Sequence, residues 1–335
     1  MSHYKLAFLG FGNVGKAFAE LLLNKQAEIQ AQHGIIFSVV GITTGRHGMV
    51  IDPNGIDLLD ALKKVNAGEC LSPSSNPQDF IKECTADILF ESIPVNYQSG
   101  QPAVDLIHEA LESEMHVVTA NKGPVVHAYR ELTDLAEAKG RKFFFESAVM
   151  DGAPVFALFR ETLPVANLLA FRGVLNSTTN LLLTLMEEGQ SFEKAVAYAQ
   201  SIGIAETDPS GDIDGWDAAI KVCALTTVLM GIPLQPGDVD RTGIRGISQS
   251  DIAEAKAEGK RWKLVCEAIR EQDFVRARVA PQKVSVESPL YGVMGTTSII
   301  EFESDVLGKL SLIESDPSPY TTAYGMLADF INAVK

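Results

Sequence analysis

The feature that most constrains this fold is GFGNVG at residues 10–15. It sits between a short apolar run, Lys5 to Leu9, and the helical pattern KAFAELLLNKQ. G-x-G-x-x-G between a strand and a helix points to a dinucleotide-binding turn rather than a chance match. Each glycine has its own physical task. Gly10 permits the tight turn, Gly12 lets the backbone approach a pyrophosphate, and Gly15 lets helix and strand pack closely. The helix N-terminus, with Asn13 and Val14, then offers N–H groups to the phosphates. Gly10, Gly12, Asn13, Val14 and Gly15 are the expected cofactor residues of this turn.

The first part of the chain goes on alternating strand and helix. Strands are expected at Ile35 to Ile42, Asp87 to Glu91, His116 to Thr119 and Lys142 to Glu146. Helices are expected near Leu58 to Val65, Asp79 to Lys82, Ala103 to Glu112 and Val125 to Ala138. This is the α/β pattern of a Rossmann-like, doubly wound parallel sheet. Ligands of such sheets lie beyond the carboxyl ends of the strands. Those ends are Gly10, Thr43, Glu91 to Pro94, Thr119 to Lys122 and Glu146, which places Thr44 and Thr119 at the cofactor crevice. No acidic residue closes the second strand to hold a ribose 2′-hydroxyl; TTGRHG follows instead. Arg46 at this place fits a 2′-phosphate, which favours NADP over NAD. A solvated loop arginine is the alternative.

After Pro154 the pattern becomes α+β. Strands are expected at Leu168 to Leu175, Phe274 to Val279, Gln282 to Val286, Ser298 to Ser304 and Gly308 to Ser315. Residues 1–146 are expected to form the dinucleotide-binding domain and 147–310 a catalytic and dimerisation domain. In 311–335 a helix is expected to return to the first domain. Within the second part, GIAETDPSGDIDGWDAAIKV runs an acidic loop into an apolar helix. Asp217 and Lys221 lie four residues apart, on one helix face. They read either as a structural ion pair or as a lysine and aspartate prepared for proton transfer or carbonyl polarisation. Lys122, in VVTANKGPV, is either a loop lysine or a cation beside a reacting carbonyl or a substrate carboxylate. Glu146 to Phe156 (ESAVMDGAPVF) reads as a hinge between domains.

Composition narrows the partners. A formal charge of −15 argues against nucleic acid and anionic membrane surfaces, so a small-molecule substrate is expected. Cys70, Cys84, Cys223 and Cys266 lack metal or redox spacing and read as reduced thiols. The opening MSHYKLAFLG shows no charged leader before a long apolar region, and no apolar run reaches the roughly 20 residues of a membrane helix. A cytoplasmic chain is expected.

Several motifs together resemble a known family. They are GFGNVG at Gly10, TANKGP at Thr119, E-x-x-V-x-x-G-x-P at Glu146, GVLNSTTN at Gly173 and AETDPSGDIDGWDAAIK at Ala205. GIRGISQSDIAEAKAEGKRWKL at Gly243 completes the set. In this order, over nearly the whole chain, they resemble homoserine dehydrogenase in its short form without a regulatory domain. The resemblance implies interconversion of L-aspartate 4-semialdehyde and L-homoserine with NAD(P), and a homodimer or higher homo-oligomer. It places the catalytic lysine at Lys221, its partner carboxylate at Asp217 and the TANK lysine at Lys122. Glu206 would take the substrate amino group, with Asp212 also at the substrate. Main-chain oxygens of Glu146, Val149, Asp151 and Ala153 would hold a monovalent cation, Na or K. The sequence departs from the family at Met150 and Asp151. It departs again at SDPSPYTTAYGMLAD, which keeps Thr322, Ala323 and Asp329 but lacks the usual glycines. Another semialdehyde or amino-acid oxidoreductase of this architecture, or a non-catalytic nucleotide-sensing relative, are the competing readings.

Overall fold

The computed structural model describes residues 1–71, 76–272 and 274–335. The chain divides into two compact units: Met1–Pro154 with Ser318–Lys335, and Val155–Pro317. Residues 147–154 thus stay with the first unit.

The first unit opens with β1 (Ser2–Leu9), α1 (Asn13–His33), β2 (Ile35–Thr44) and β3 (Gly48–Ile51). It continues through α2 (Leu58–Asn66), α3 (Pro77–Glu83), β4 (Ile88–Glu91), α4 (Ala103–Glu112) and β5 (His116–Thr119). α5 (Lys122–His127), α6 (Tyr129–Ala138) and β6 (Phe143–Phe144) follow. Its six strands lie in the order β3-β2-β1-β4-β5-β6. All neighbours pair in parallel except β3, which folds back antiparallel on β2. Leu6 to Leu9 are all at most 1% exposed, as expected of a central strand covered on both faces. α1 ends at Gly34, whose left-handed φ of +67° lets its N–H close on Gln30 O. The chain goes from β1 to β2 and β3 on one side, then crosses to β4, β5 and β6 on the other. That reversal beside β1 opens the ligand crevice of such sheets.

Two local features differ from the sequence reading. TTGRHG is not simply a loop but the turn of a hairpin into β3. The helix expected over Val125 to Ala138 is two helices, broken at Ala128, whose φ of −140° and ψ of 20° are not helical.

The second unit begins with α7 (Val155–Ala157) and a π-helical turn over Leu158–Thr162. β7 (Leu168–Val174), α8 (Ser177–Glu187), α9 (Phe192–Ser201), α10 (Ser210–Ile213) and α11 (Trp216–Leu229) follow. Then come β8 (Asp240–Arg241), α12 (Gln249–Ala257), β9 (Lys260–Glu271), β10 (Phe274–Ser285), β11 (Ser298–Ser304) and β12 (Gly308–Glu314). The six strands lie in the order β12-β11-β7-β9-β10-β8. The sheet is antiparallel apart from the short β8, which runs parallel to β10. β10 is one strand through Pro281 rather than two. β9 is absent from the sequence reading. Its run of lysines and arginines looks like a surface, yet Lys263 is 1% exposed, with Nζ on Asn180 Oδ1 at 2.8 Å.

The chain then returns to the first unit as α13 (Pro319–Ala333). Ala323, Met326, Leu327 and Phe330 join Phe8, Phe18 and Phe90 in one core. Phe90 packs tilted against Phe18 at 4.5 Å and meets Phe330 edge-on at 5.8 Å between ring centroids. Among the described residues no helix is long and apolar enough to cross a membrane.

Candidate active site

The turn after β1 has the shape a dinucleotide needs. Gly10 has φ +104°, and a Cβ there would lie 2.8 Å from the Ser92 backbone. A Cβ on Gly15 would come within 2.5 Å of Gly10 O, so only glycine lets α1 start this close to the turn. Gly12 differs: nothing lies within 4 Å of where its Cβ would be. It is the N-cap of α1 and supplies no side chain to the first-turn N–H groups. Open space over uncapped N–H groups is what an incoming pyrophosphate requires. Asn13 is exposed and Val14 half-buried at this same helix start.

At the end of β2 the Thr44 side chain is buried. Its Oγ1 accepts from Arg46 N at 3.2 Å and His47 N at 2.6 Å, which folds the turn and presents Arg46 to solvent. At the end of β5, Thr119 is fully buried and its hydroxyl donates to Glu91 Oε2 beneath the strand end. Asn121 caps α5 through Oδ1, accepting from Gly123 N at 2.9 Å, and half-buried Lys122 is the first residue of that helix.

The segment after β6 is a pinned turn. Glu146 N donates to Asp329 Oδ2 at 2.7 Å, and Ser147 Oγ donates to Thr322 O at 2.7 Å. Asp151 has φ +40°, and its Oδ2 accepts from Ser318 N at 3.0 Å and Thr321 Oγ1 at 2.8 Å. Ala153 N closes on Met150 O at 2.8 Å, with Val149 buried inside the turn. A Cβ on Gly152 would lie 2.5 Å from Thr321 O, so α13 crosses this turn backbone to backbone. Among the described residues no three His, Cys, Asp or Glu side chains converge as a metal site.

The second unit assembles its polar cluster from three helices. Asn176 caps α8, accepting from Thr179 N at 2.8 Å. Its Nδ2 donates outward to Asp212 Oδ1 at 2.7 Å, from α10, and to Asp217 Oδ2 at 3.0 Å, from α11. Asp217 Oδ2 lies 3.5 Å from Lys221 Nζ, with both side chains at most 15% exposed. Lys221 Nζ also donates to Leu175 O at 2.7 Å. Gly215, at φ +80°, makes the sharp entry into α11 that brings Asp217 back to this point.

Burial raises the Asp212 carboxyl above its ordinary value, and nearby Asp217 raises it further. Bonds from Asn176 and Thr178 and the charge of Lys221 pull the other way. Cys266, close to the same groups, is pushed up to about 12 by burial and stays a neutral thiol. Asp212, Asp217 and Lys221 are thus brought together. Glu206 stands outside this hydrogen-bonded cluster, exposed on the loop before α10, with its carbonyl held by Gln200 Nε2 at 3.0 Å. Sequence reasoning missed Asn176 and the Leu175 carbonyl. NSTTN signalled only a helix cap, and nothing local shows that a cap's amide reaches two distant carboxylates.

Known proteins resemble this chain along nearly its whole length. Residues 154–331 match the family model of homoserine dehydrogenase, and residues 10–146 match that of the homoserine dehydrogenase NAD-binding domain. The NAD(+)-dependent homoserine dehydrogenase of Pseudomonas canavaninivorans is 34% identical, over 99% of this chain and 96% of that one. The homoserine dehydrogenase of Methanocaldococcus jannaschii is 36% identical, over 98% and 97%. A hyperthermophilic archaeal homoserine dehydrogenase solved in complex with NADPH superposes with a TM-score of 0.84. It is 30% identical over 99% of this chain and 98% of that one. The homoserine dehydrogenase structure from Thiobacillus denitrificans gives a TM-score of 0.85 at 28% identity, over 99% and 73%.

Proposed function

The chain belongs to the homoserine dehydrogenase family of NAD(P)-dependent oxidoreductases acting on a CH–OH group, and we propose that Lys221 is the group that stabilises and protonates the substrate oxygen. The enzyme interconverts L-aspartate 4-semialdehyde and L-homoserine. The observation that carries the proposal is a fixed ammonium: Nζ lies 2.7 Å from Leu175 O and 3.5 Å from Asp217 Oδ2. A bound nicotinamide supplies or accepts the hydride. The chain's own residues do the electrostatic work. In reduction, negative charge grows on the aldehyde oxygen, and a preset ammonium beside it lowers the barrier and gives up a proton. In oxidation the same nitrogen takes the hydroxyl proton. Asp217 aims Lys221, and Asn176 aims Asp217. Asp212 is strained by burial and by Asp217, so a substrate ammonium beside it relieves that strain. Glu206 then adds a second, exposed carboxylate for the same ammonium; in the first unit, Lys122 is a separate candidate cation for a carboxylate or carbonyl.

The turn at Gly10, Gly12, Asn13, Val14 and Gly15 takes the pyrophosphate, with Thr44 and Thr119 shaping the crevice from the ends of β2 and β5. Related enzymes differ in cofactor: that of P. canavaninivorans is named NAD(+)-dependent, and the archaeal structure holds NADPH. For this chain we favour NADP, on the exposed guanidinium of Arg46 at the end of β2. Main-chain oxygens of Glu146, Val149, Asp151 and Ala153 would hold a sodium or potassium ion, supported by the side-chain bonds that pin that turn. A homodimer or larger homo-oligomer is supported by Ile269, Phe274 and Ile313. They are exposed on one face of the second sheet.

The test is initial-rate oxidation of L-homoserine with each cofactor, by wild type and Lys221→Ala. Cofactor binding without turnover in the wild type would return the chain to a nucleotide-sensing role.

A further inference from the structure

Glu91, the last residue of β4, is completely buried, and no step above uses it. Three uncharged donors converge on its carboxylate. Thr119 Oγ1 donates to Oε2, Ile93 N donates to Oε1 at 2.8 Å, and Asn121 Nδ2 donates to Oε1 at 3.3 Å. Asn121 passes the constraint on. Its N–H donates to Thr119 Oγ1 at 2.9 Å, its Nδ2 also reaches Ile93 O at 3.3 Å, and its Oδ1 caps α5 at 2.9 Å. Glu91 and Thr119 are register partners across β4 and β5. One carboxylate therefore ties together the ends of two adjacent strands and sets the direction in which Lys122 leaves.

The sheet order says what those two ends face. The phosphate turn follows β1, and the Arg46 turn follows β2 on one side of it. A dinucleotide crossing the crevice with its adenosine toward β2 lays its other half over β4 and β5. We propose that Glu91 is a positioning residue for the nicotinamide half of the cofactor, acting through the segment Thr119 to Lys122. A buried carboxylate is costly to keep, and burial pushes this one up to about 7 despite its donors. A neutral residue would hold two strands together at lower cost. The inference rests on the nicotinamide-cofactor reading of the first unit, which binding of ADP to wild type tests separately.

The experiment is calorimetric titration of the full chain with NAD⁺ and with ADP, which shares only the adenosine and phosphate end. For Glu91→Ala we expect affinity for NAD⁺ to fall about tenfold, the effect of losing a buried hydrogen-bond set. Glu91→Gln keeps the shape but turns a donor toward Thr119 and should lose roughly threefold or more. ADP should bind both variants as it binds wild type. Glu91→Gln decides the matter if Glu91→Ala does not fold. Parallel weakening of ADP and NAD⁺ would show a merely structural tie and overturn the proposal, as would unchanged NAD⁺ affinity throughout.

Discussion

Replacing Glu91 with glutamine also exposes what that buried carboxyl costs the fold. Burial pushes Glu91 up to about 7 from an ordinary 4.5, against bonds from Thr119, Ile93 and Asn121. Between those two values the folded chain keeps the proton and the unfolded chain has released it. The folded state then holds more protons, so stability falls as pH rises. The stabilising share is complete below pH 4.5 and is gone above about 7. At about 1.4 kcal/mol per unit, this offset is worth roughly 2–3 kcal/mol between pH 5 and pH 8. Glutamine does not ionise, and subtracting one protein's unfolding free energy from the other's cancels every other titrating group. Urea unfolding of wild type and Glu91→Gln across this range measures that difference. The variant should gain on wild type by roughly 2–3 kcal/mol from pH 5 to pH 8. A level difference would mean that burial does not shift this carboxyl. A difference running the other way would mean that the three donors outweigh burial. Either result refutes the reasoning.

Further outcomes follow from the two polar sites. Lys221→Ala should lower turnover by about two to four decades and leave cofactor affinity nearly unchanged; retention of more than roughly a tenth of turnover would make Lys221 a structural partner of Asp217 only. Glu206→Gln should mainly raise KM for homoserine and Asp217→Asn mainly lower kcat, and steady-state kinetics with the signatures exchanged would reverse the two roles. Arg46→Ala should cut the NADP-to-NAD ratio of kcat/KM by roughly one to two decades, the worth of a guanidinium–phosphate contact; an unmoved ratio would leave Arg46 a surface residue. Gly152→Ala should destabilise the first unit by roughly 1–3 kcal/mol, because its methyl would meet Thr321 O; an unchanged urea midpoint would mean that α13 shifts freely.

What the sequence shows plainly is what neighbours along the chain decide. The glycines of GFGNVG answer to one turn and one helix start. Asp217 and Lys221 meet because helices repeat every 3.6 residues. The bonds that organise the sites span longer distances. Asn176 reaches Asp212 and Asp217 across 36 and 41 residues, and Glu91 reaches Thr119 across 28. No local pattern encodes such pairings. Asp151 is the clearest case. By the resemblance drawn above, it is one departure and the glycine-poor stretch before α13 is another; each looks like a loss when read alone. In the fold Asp151 takes a left-handed backbone and accepts from Ser318 N and Thr321 Oγ1, so one departure fastens the other. β9 was hidden for a different reason: its buried Lys263 carries the residue type of a surface.

The return of α13 to the first unit has a consequence for synthesis. The cofactor-binding half is interrupted in the chain by the whole of Val155–Pro317, and its core closes on Phe330. On the ribosome, the strands and glycine turn of residues 1–154 must therefore wait, with the Phe8–Phe18–Phe90 surface uncovered, while the second unit is made. The second unit is contiguous and can complete itself first. Loss of residues 319–333 should thus leave the Lys221 cluster folded and strip the nucleotide sheet of its cover. A nascent chain stalled before Phe330 offers chaperones an aromatic surface that the finished protein never shows.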